Sequence, residues 1–177
     1  MKIKNKKLNI LILFTSMGCG ITTQVLDNKD DLSWINLYVG KLGILDGDPK
    51  NTNSFGLEYR ATKITKWKII PSFGYSLGAN GIKYLYTDVK HDWTIKKNWV
   101  FTFSLGTGIF DNNDSLDLGS TIEFRTGFEL TYHFNNNNRL GLVAYHLSNS
   151  KLSKQNPGTE ALMLTFLVPF DTLIKKK

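Results

Sequence analysis

The chain is predicted to form an all-β fold, an eight-stranded antiparallel transmembrane β-barrel, on three observations. Its start, M-K-I-K-N-K-K followed by L-N-I-L-I-L-F, has the basic and then apolar build of a secretory signal, and small residues follow around Ser16 to Gly20. No later window has the continuous apolar length of a membrane-spanning helix, so any crossing must use strands. The remainder alternates large apolar with small or polar residues at period 2, between turn-forming clusters.

Each element follows in order. Residues 1–20 read as the signal peptide and 21–31 as an N-terminal segment, with the barrel over 32–170 and a basic tail over 171–177. Strands are expected near 32–44, 54–64, 66–78, 82–93, 98–110, 119–134, 139–149 and 159–170. The clearest are Asn98 to Ile109, with Trp99, Phe101, Phe103, Leu105 and Ile109 on one face, and Thr121 to Phe134, with Ile122, Phe124, Phe128, Leu130, Tyr132 and Phe134. Phe55, Leu57 and Tyr59 alternate with Glu58 and Arg60, while Trp67, Ile69, Phe73, Tyr75 and Leu77 alternate with Lys68, Ser72 and Ser76. Residues 82–93 alternate poorly. Turns fall at D-G-D-P-K-N-T-N (46–53), G-A-N-G (78–81), D-N-N-D (111–114), N-N-N-N (135–138) and S-K-Q-N-P-G (153–158).

Charge excludes one class of function. The net +7 comes from four lysines in residues 1–7 and three in Lys175–Lys177; the other 15 basic residues face 15 acidic ones. A neutral body offers no nucleic-acid surface. The single cysteine, Cys19, ends the signal, which excludes a disulfide framework or a cysteine metal site. S-M-G-C resembles a lipoprotein cleavage site, but Ser16 stands where Leu is usual, which favours an ordinary signal.

A soluble lipocalin-like barrel has the same alternation turned inside out. The membrane version is favoured because opposite charges lie close together on the polar faces, at Glu58/Arg60 and Glu123/Arg125, as suits a narrow polar lumen. With both termini in the periplasm, 46–53, 78–81, 111–118 and the loop between strands 7 and 8 lie at the cell exterior. His133 is expected in the lumen near Glu129, and His91 on the surface or in a turn. Trp34, Trp67, Trp93 and Trp99 suit interfacial girdles. Lys83, Lys90, Lys96 and Lys97 read as solvated loop or rim charges, the exterior ones within reach of phosphates.

The stretch A-Y-H-L-S-N-S-K-L-S-K-Q-N-P-G-T-E, residues 144–160, carries the candidate chemistry. His146 and Ser148 leave one strand face together, shared with Leu142 and Ala144. Glu160 has the parity of Leu162, Leu164, Phe166, Val168 and Phe170, the bulkier apolar face. All three then point outwards into the membrane boundary, where polar groups are costly. Ester cleavage needs a nucleophile (Ser148), a base (His146) and a carboxylate orienting the imidazole (Glu160). Asn149, Asn156 and backbone N–H groups around Ser150 and Gly158 are the available oxyanion donors or site-organising groups. An ordinary polar turn closing a hairpin accounts for the same residues, N-P-G being good turn chemistry.

The stretch from His146 through Ser148, Asn149, Asn156 and Gly158 to Glu160 resembles the signature of the outer-membrane lipid A 3-O-deacylases, the PagL-type acyloxyacyl hydrolase family. The likeness continues upstream through L-G-S-T-I-E-F-R-T-G-F-E-L and F-S-L-G-T-G-I-F, and into F-L-V-P-F. It implies an eight-stranded barrel in the bacterial outer membrane with its site at the outer-leaflet rim. It also implies lipid A, the anchor of lipopolysaccharide, as substrate, and release of a 3-hydroxy fatty acid. Ser148 would be the nucleophile, His146 the base, Glu160 its partner, and Asn149 and Asn156 the organisers, with no metal or cofactor. Two departures stand out: Lys151 replaces a small residue, with consequences for backbone approach to the oxyanion or for a phosphate contact, and D-T-L-I-K-K-K continues past Phe170. The alternative is a non-catalytic barrel of structural or adhesive role.

Overall fold

The computed structural model describes residues 32–46, 50–64 and 66–174. The expected signal with Cys19, the segment 21–31 and Lys175–Lys177 lie outside them. Eight strands form: β1 (Trp34–Leu42), β2 (Thr52–Arg60), β3 (Ile70–Gly78), β4 (Lys83–Lys96), β5 (Trp99–Asp111), β6 (Ile122–His133), β7 (Arg139–Ser148) and β8 (Thr159–Pro169). All neighbours pair antiparallel, and β8 returns to β1 from Trp34↔Pro169 to Leu42↔Ala161, closing the barrel. A short helix, α1 (Phe170–Ile174), follows β8; the Phe170 ring meets Tyr59 edge-on at 5.7 Å.

The face assignment decides which solvent the barrel suits. Leu37, Val39, Phe55, Leu57, Phe73, Leu105, Phe128, Leu142 and Leu164 point outwards and are exposed, whereas Glu58, Arg60, Asp88, Lys90, Arg125 and Glu129 are buried inside. An apolar outer wall around a charged interior matches hydrocarbon rather than water, which excludes the soluble barrel.

Buried charges are tolerable only when paired and hydrogen-bonded. The lumen satisfies this through Arg60, which donates from Nε to Glu58 at 2.6 Å and through both terminal nitrogens to Glu129 at 2.9 and 2.5 Å. Lys90 bridges Glu58 (3.1 Å) and Asp88 (3.0 Å), Asp88 also pairs with Arg125, and the Tyr86 hydroxyl donates to Glu58 at 2.9 Å. Glu58/Arg60 therefore pair as expected. Glu123 and Arg125 share the lumen face but not a bond: Arg125 turns to Asp88, lying over the Tyr86 and Tyr145 rings, and among the described residues neither carboxylate oxygen of Glu123 has a hydrogen-bond partner.

Above this network the loop-end mouth is filled by apolar side chains. Leu116 and Leu118, from the β5–β6 loop, are fully buried beside Ile82, Phe110, Leu147 and Met163. Asn113 ties that loop to the Asn80 carbonyl at 2.9 Å, and Asn112 accepts the Leu118 N–H at 2.7 Å. The lumen is thus a packed core, not a pore.

Several expectations are corrected. Trp67 and Ile69 precede β3: Lys66–Lys68 form a turn, and the positive φ of Lys68 (54°) breaks extended pairing although the alternation runs on. β4 continues to Lys96, past a register shift at Thr94/Lys96. Its weak pattern arises because Tyr84 and Tyr86, inside, are as apolar as Leu85 and Val89, outside. Of the two places expected for His91 the surface one holds: it lies on the outward face of β4, against Trp93 at 4.3 Å. Trp67, Trp93 and Trp99 are exposed at the terminal end, but Trp34 has lumen parity and is buried under the Arg139 guanidinium, 4.4 Å from its ring. Lys90 is no rim charge, since its parity puts it in the lumen network, and Lys96 and Lys97 sit at the terminal-end β4–β5 turn. His133 is buried on the lumen face with Glu129.

Arg60→Met strips two buried carboxylates of their main partner, at a cost of about 3 kcal/mol or more. The folded band on unboiled gels and the urea midpoint in detergent should both drop clearly, while Phe73→Leu on the outer wall changes little.

Candidate active site

The β7–β8 hairpin assembles the candidate site by register. His146 pairs directly with Glu160, so both side chains leave the outer wall side by side, with His146 Nδ1 and Glu160 Oε1 3.0 Å apart. Both are partly open, the side chains 47% and 34% exposed. A carboxylate can only accept, so Nδ1 is the donor; in the neutral ring this leaves the lone pair on Nε2.

The backbone under Glu160 is held from three sides. Its carbonyl accepts the Gly43 and Ile44 N–H groups at 2.8 and 3.2 Å, and the neighbouring Thr159 hydroxyl donates to Asp46 at 2.6 Å. Gly158, just before, has φ +66°, and a Cβ there would come within 2.8 Å of His146 Cε1. Only glycine leaves the imidazole its place. N-P-G, read from the sequence as turn chemistry, thus also clears room for the ring.

Ser148 lies on the same outward face as His146, opposite Phe124 of β6, as His146 lies opposite Thr126. Among the described residues the Ser148 hydroxyl makes no hydrogen bond, so the histidine–carboxylate contact is formed and the serine–histidine contact is not. Two strand positions separate the last pair by roughly 7 Å of backbone, and hydrogen bonds of this kind are often open until substrate binds.

The two asparagines divide their work. Asn149 is fully buried and spends both Nδ2 hydrogens, on the Leu118 and Gln155 carbonyls at 2.8 Å each, while its Oδ1 accepts the Lys151 N–H at 3.0 Å. No hydrogen remains for an oxyanion, so its side chain organises rather than donates. Asn156 accepts the Asn149 N–H through Oδ1 at 3.0 Å. That leaves its Nδ2, with no bond among the described residues, at the exposed turn. Ser150 and Lys151 hold positive φ angles of 50° and 66°, strain of about 1–2 kcal/mol each, which the Asn149 clamp offsets. The Asn149 contact to Leu118 spans 31 residues and joins two loops, so nothing local announced it.

Asn149→Ala leaves the Leu118 and Gln155 carbonyls without donors and releases the strained pair. Trypsin should then cut after Lys151 or Lys154 several-fold faster in a barrel that still runs as folded.

The family model described as Lipid A 3-O-deacylase (PagL) matches residues 46–169. Among solved structures, the outer membrane enzyme PagL superposes with a TM-score of 0.60 at 17% identity, over 77% of this chain and 99% of that one. Neisserial surface protein A (NspA) gives 0.57 at 12% identity, over 78% and 96%. Comparison with curated proteins gave no match. At these identities the two structures speak for the eight-stranded fold alone. The family match spans β2 to β8, including the whole hairpin that carries His146, Ser148 and Glu160, and with it the chain belongs to the lipid A 3-O-deacylase (PagL) family.

Proposed function

We propose that the protein is an outer-membrane esterase that hydrolyses the acyl ester at position 3 of lipid A, working from the outer-leaflet rim of the barrel wall. The observation that carries this reading is the His146–Glu160 contact of 3.0 Å on the outward face, two residues from Ser148, in a chain of this family. Lipid A cannot leave the bilayer for a buried pocket, so a site reached laterally from the membrane suits it.

In the proposed reaction the Ser148 hydroxyl attacks the ester carbonyl carbon while His146 Nε2 takes its proton. Glu160 accepts from Nδ1–H, holding the tautomer and stabilising the imidazolium that forms. The oxyanion is met by Asn156 Nδ2 and by the Ser150 N–H, a backbone donor close to Ser148 that makes no bond among the described residues. Collapse breaks the ester bond to the sugar, whose 3-oxygen leaves with the proton from His146. Water, activated by the same histidine, then splits the acyl-serine and frees the 3-hydroxy fatty acid. The left-handed turn at Ser150 and Lys151 presents these donors, and Asn149 keeps it in shape.

Lipid A from cells expressing the wild type should lose one 3-hydroxyacyl mass, and cells expressing Ser148→Ala should not. Purified Ser148→Ala should lose on the order of 10³-fold or more in rate, and Glu160→Gln roughly 10²- to 10⁴-fold. An unchanged lipid A spectrum with folded, inserted wild type would sink the proposal, favouring a structural or adhesive barrel.

Gly158→Ala tests the room left for the imidazole. Its methyl pushes on His146 Cε1 and sits at an unfavourable φ, so kcat should fall about ten- to a hundredfold with KM little changed and the gel-shifted folded band retained.

A further inference from the structure

The outward faces of the strands carry few charges in their loop-end half: Lys41, Lys83, Asp111, His146 and Glu160. His146 and Glu160 satisfy each other, and Lys83 faces Asp111 at 3.7 Å. Lys41 is different. It is exposed, forms no ion pair among the described residues, and its Nζ donates only to the neutral Asn51 Oδ1 at 3.3 Å. A cation with no carboxylate beside it among the described residues, on a wall meant for lipid, has charge to spare for an anion.

Its position gives that charge a use. Lys41 pairs with Leu162 on β8, one strand beyond Glu160, while His146 lies one strand to the other side. Adjacent strands are about 4.8 Å apart and Leu162 lies two residues along β8 from Glu160, so the Lys41 and His146 backbones lie roughly 12 Å apart across the wall, within the combined reach of a lysine stem and one sugar ring. On the opposite flank, β6 offers only Ile122, Phe124 and Thr126 beside the hairpin. Among the described outward strand residues, the flank on β1 therefore carries a cation and the flank on β6 none.

We propose that Lys41 is a substrate-orienting residue that binds the phosphate on the same glucosamine ring as the 3-position ester. This rests on the lipid A reading above. That phosphate is two ring positions from the ester, so an ester lying over Ser148 and His146 sends it along the wall to one flank or the other. Lys41 fixes the flank as β1, and the acyl chains then lie over Leu142, Leu162 and Leu164. Tight, correctly turned binding is its role, not chemistry at the carbonyl.

The test uses full-length protein in detergent micelles carrying Ser148→Ala, so that binding is measured without turnover. Lipid A and its 1-dephosphorylated form are compared. Adding Lys41→Gln should weaken binding of lipid A about tenfold, the worth of one charge-assisted hydrogen bond, and leave the 1-dephosphorylated lipid unchanged. Lys41→Arg should restore the preference, and Lys83→Ala, on the far wall, should not alter it. Equal losses for both lipids, no loss, or no binding of either lipid overturns the assignment, as does a matching effect of Lys83→Ala. On the otherwise wild-type enzyme Lys41→Gln should raise KM with kcat held. Failure of the hydrolase reading is separate: wild type would release no 3-hydroxy acid even where binding still distinguishes the two lipids.

Discussion

Closure of β1 onto β8 is the constraint from which the rest follows. In hydrocarbon there is no water for an unpaired N–H or C=O, so a membrane-crossing sheet has to end by pairing with its own beginning. The nine-pair ladder from Trp34↔Pro169 to Leu42↔Ala161 does this. Once closed, no strand can slip by one residue without turning its whole apolar set inwards and its charges into lipid. That lock places Arg60 inside and Glu160 outside, and it aligns His146 with Glu160 on adjacent strands.

The filled interior matters to the outer wall. β6 contributes Glu129 and Arg125 to the charged lumen and Thr126 and Phe124 to the surface beside His146 and Ser148. Rigid inner packing thereby stiffens the platform on which the outer groups stand. Near the mouth the link is direct: Leu118 buries its side chain in the apolar plug and offers its carbonyl to Asn149, the residue after Ser148. The strained turn at Ser150 and Lys151 is thus braced from inside the barrel, although both residues are exposed.

Much of this was legible because period 2 is a strong signal where the two faces differ in polarity. The strand count, the closed antiparallel order and the outward parity of His146, Ser148 and Glu160 all follow from it. Reading faltered where polarity stopped marking the face. Tyr84 and Tyr86 point inwards yet look apolar, and Trp34 was placed in an interfacial girdle by type although its parity with Asn36 and Tyr38 puts it inside. Alternation through Trp67 and Ile69 imitated a strand where Lys68 adopts a turn conformation. Lys41 carries no such mark, because a lysine at a strand end looks like any rim charge until the register puts it one strand from Glu160. The Asn149 clamp depended on a loop 31 residues away, a contact that no local pattern encodes.

The outer wall can carry three polar side chains because most of their cost is already met. His146 and Glu160 satisfy one another, and the proposed outer-leaflet rim is a partly wet setting, unlike the hydrocarbon midplane where a lone ionisable group is most expensive. Among the described residues Ser148 is the group left without a partner, and a single unbonded hydroxyl at a wet rim costs little. On the proposed reading this asymmetry has a chemical purpose. The base is oriented and the nucleophile is not yet engaged, so the serine–histidine bond forms when a lipid displaces rim water and lowers the local dielectric. In that setting the same hydrogen bond is stronger than it would be in the resting barrel. The substrate's own acyl chains thereby supply the dry surroundings that ester cleavage needs, and no lid or enclosed pocket is required.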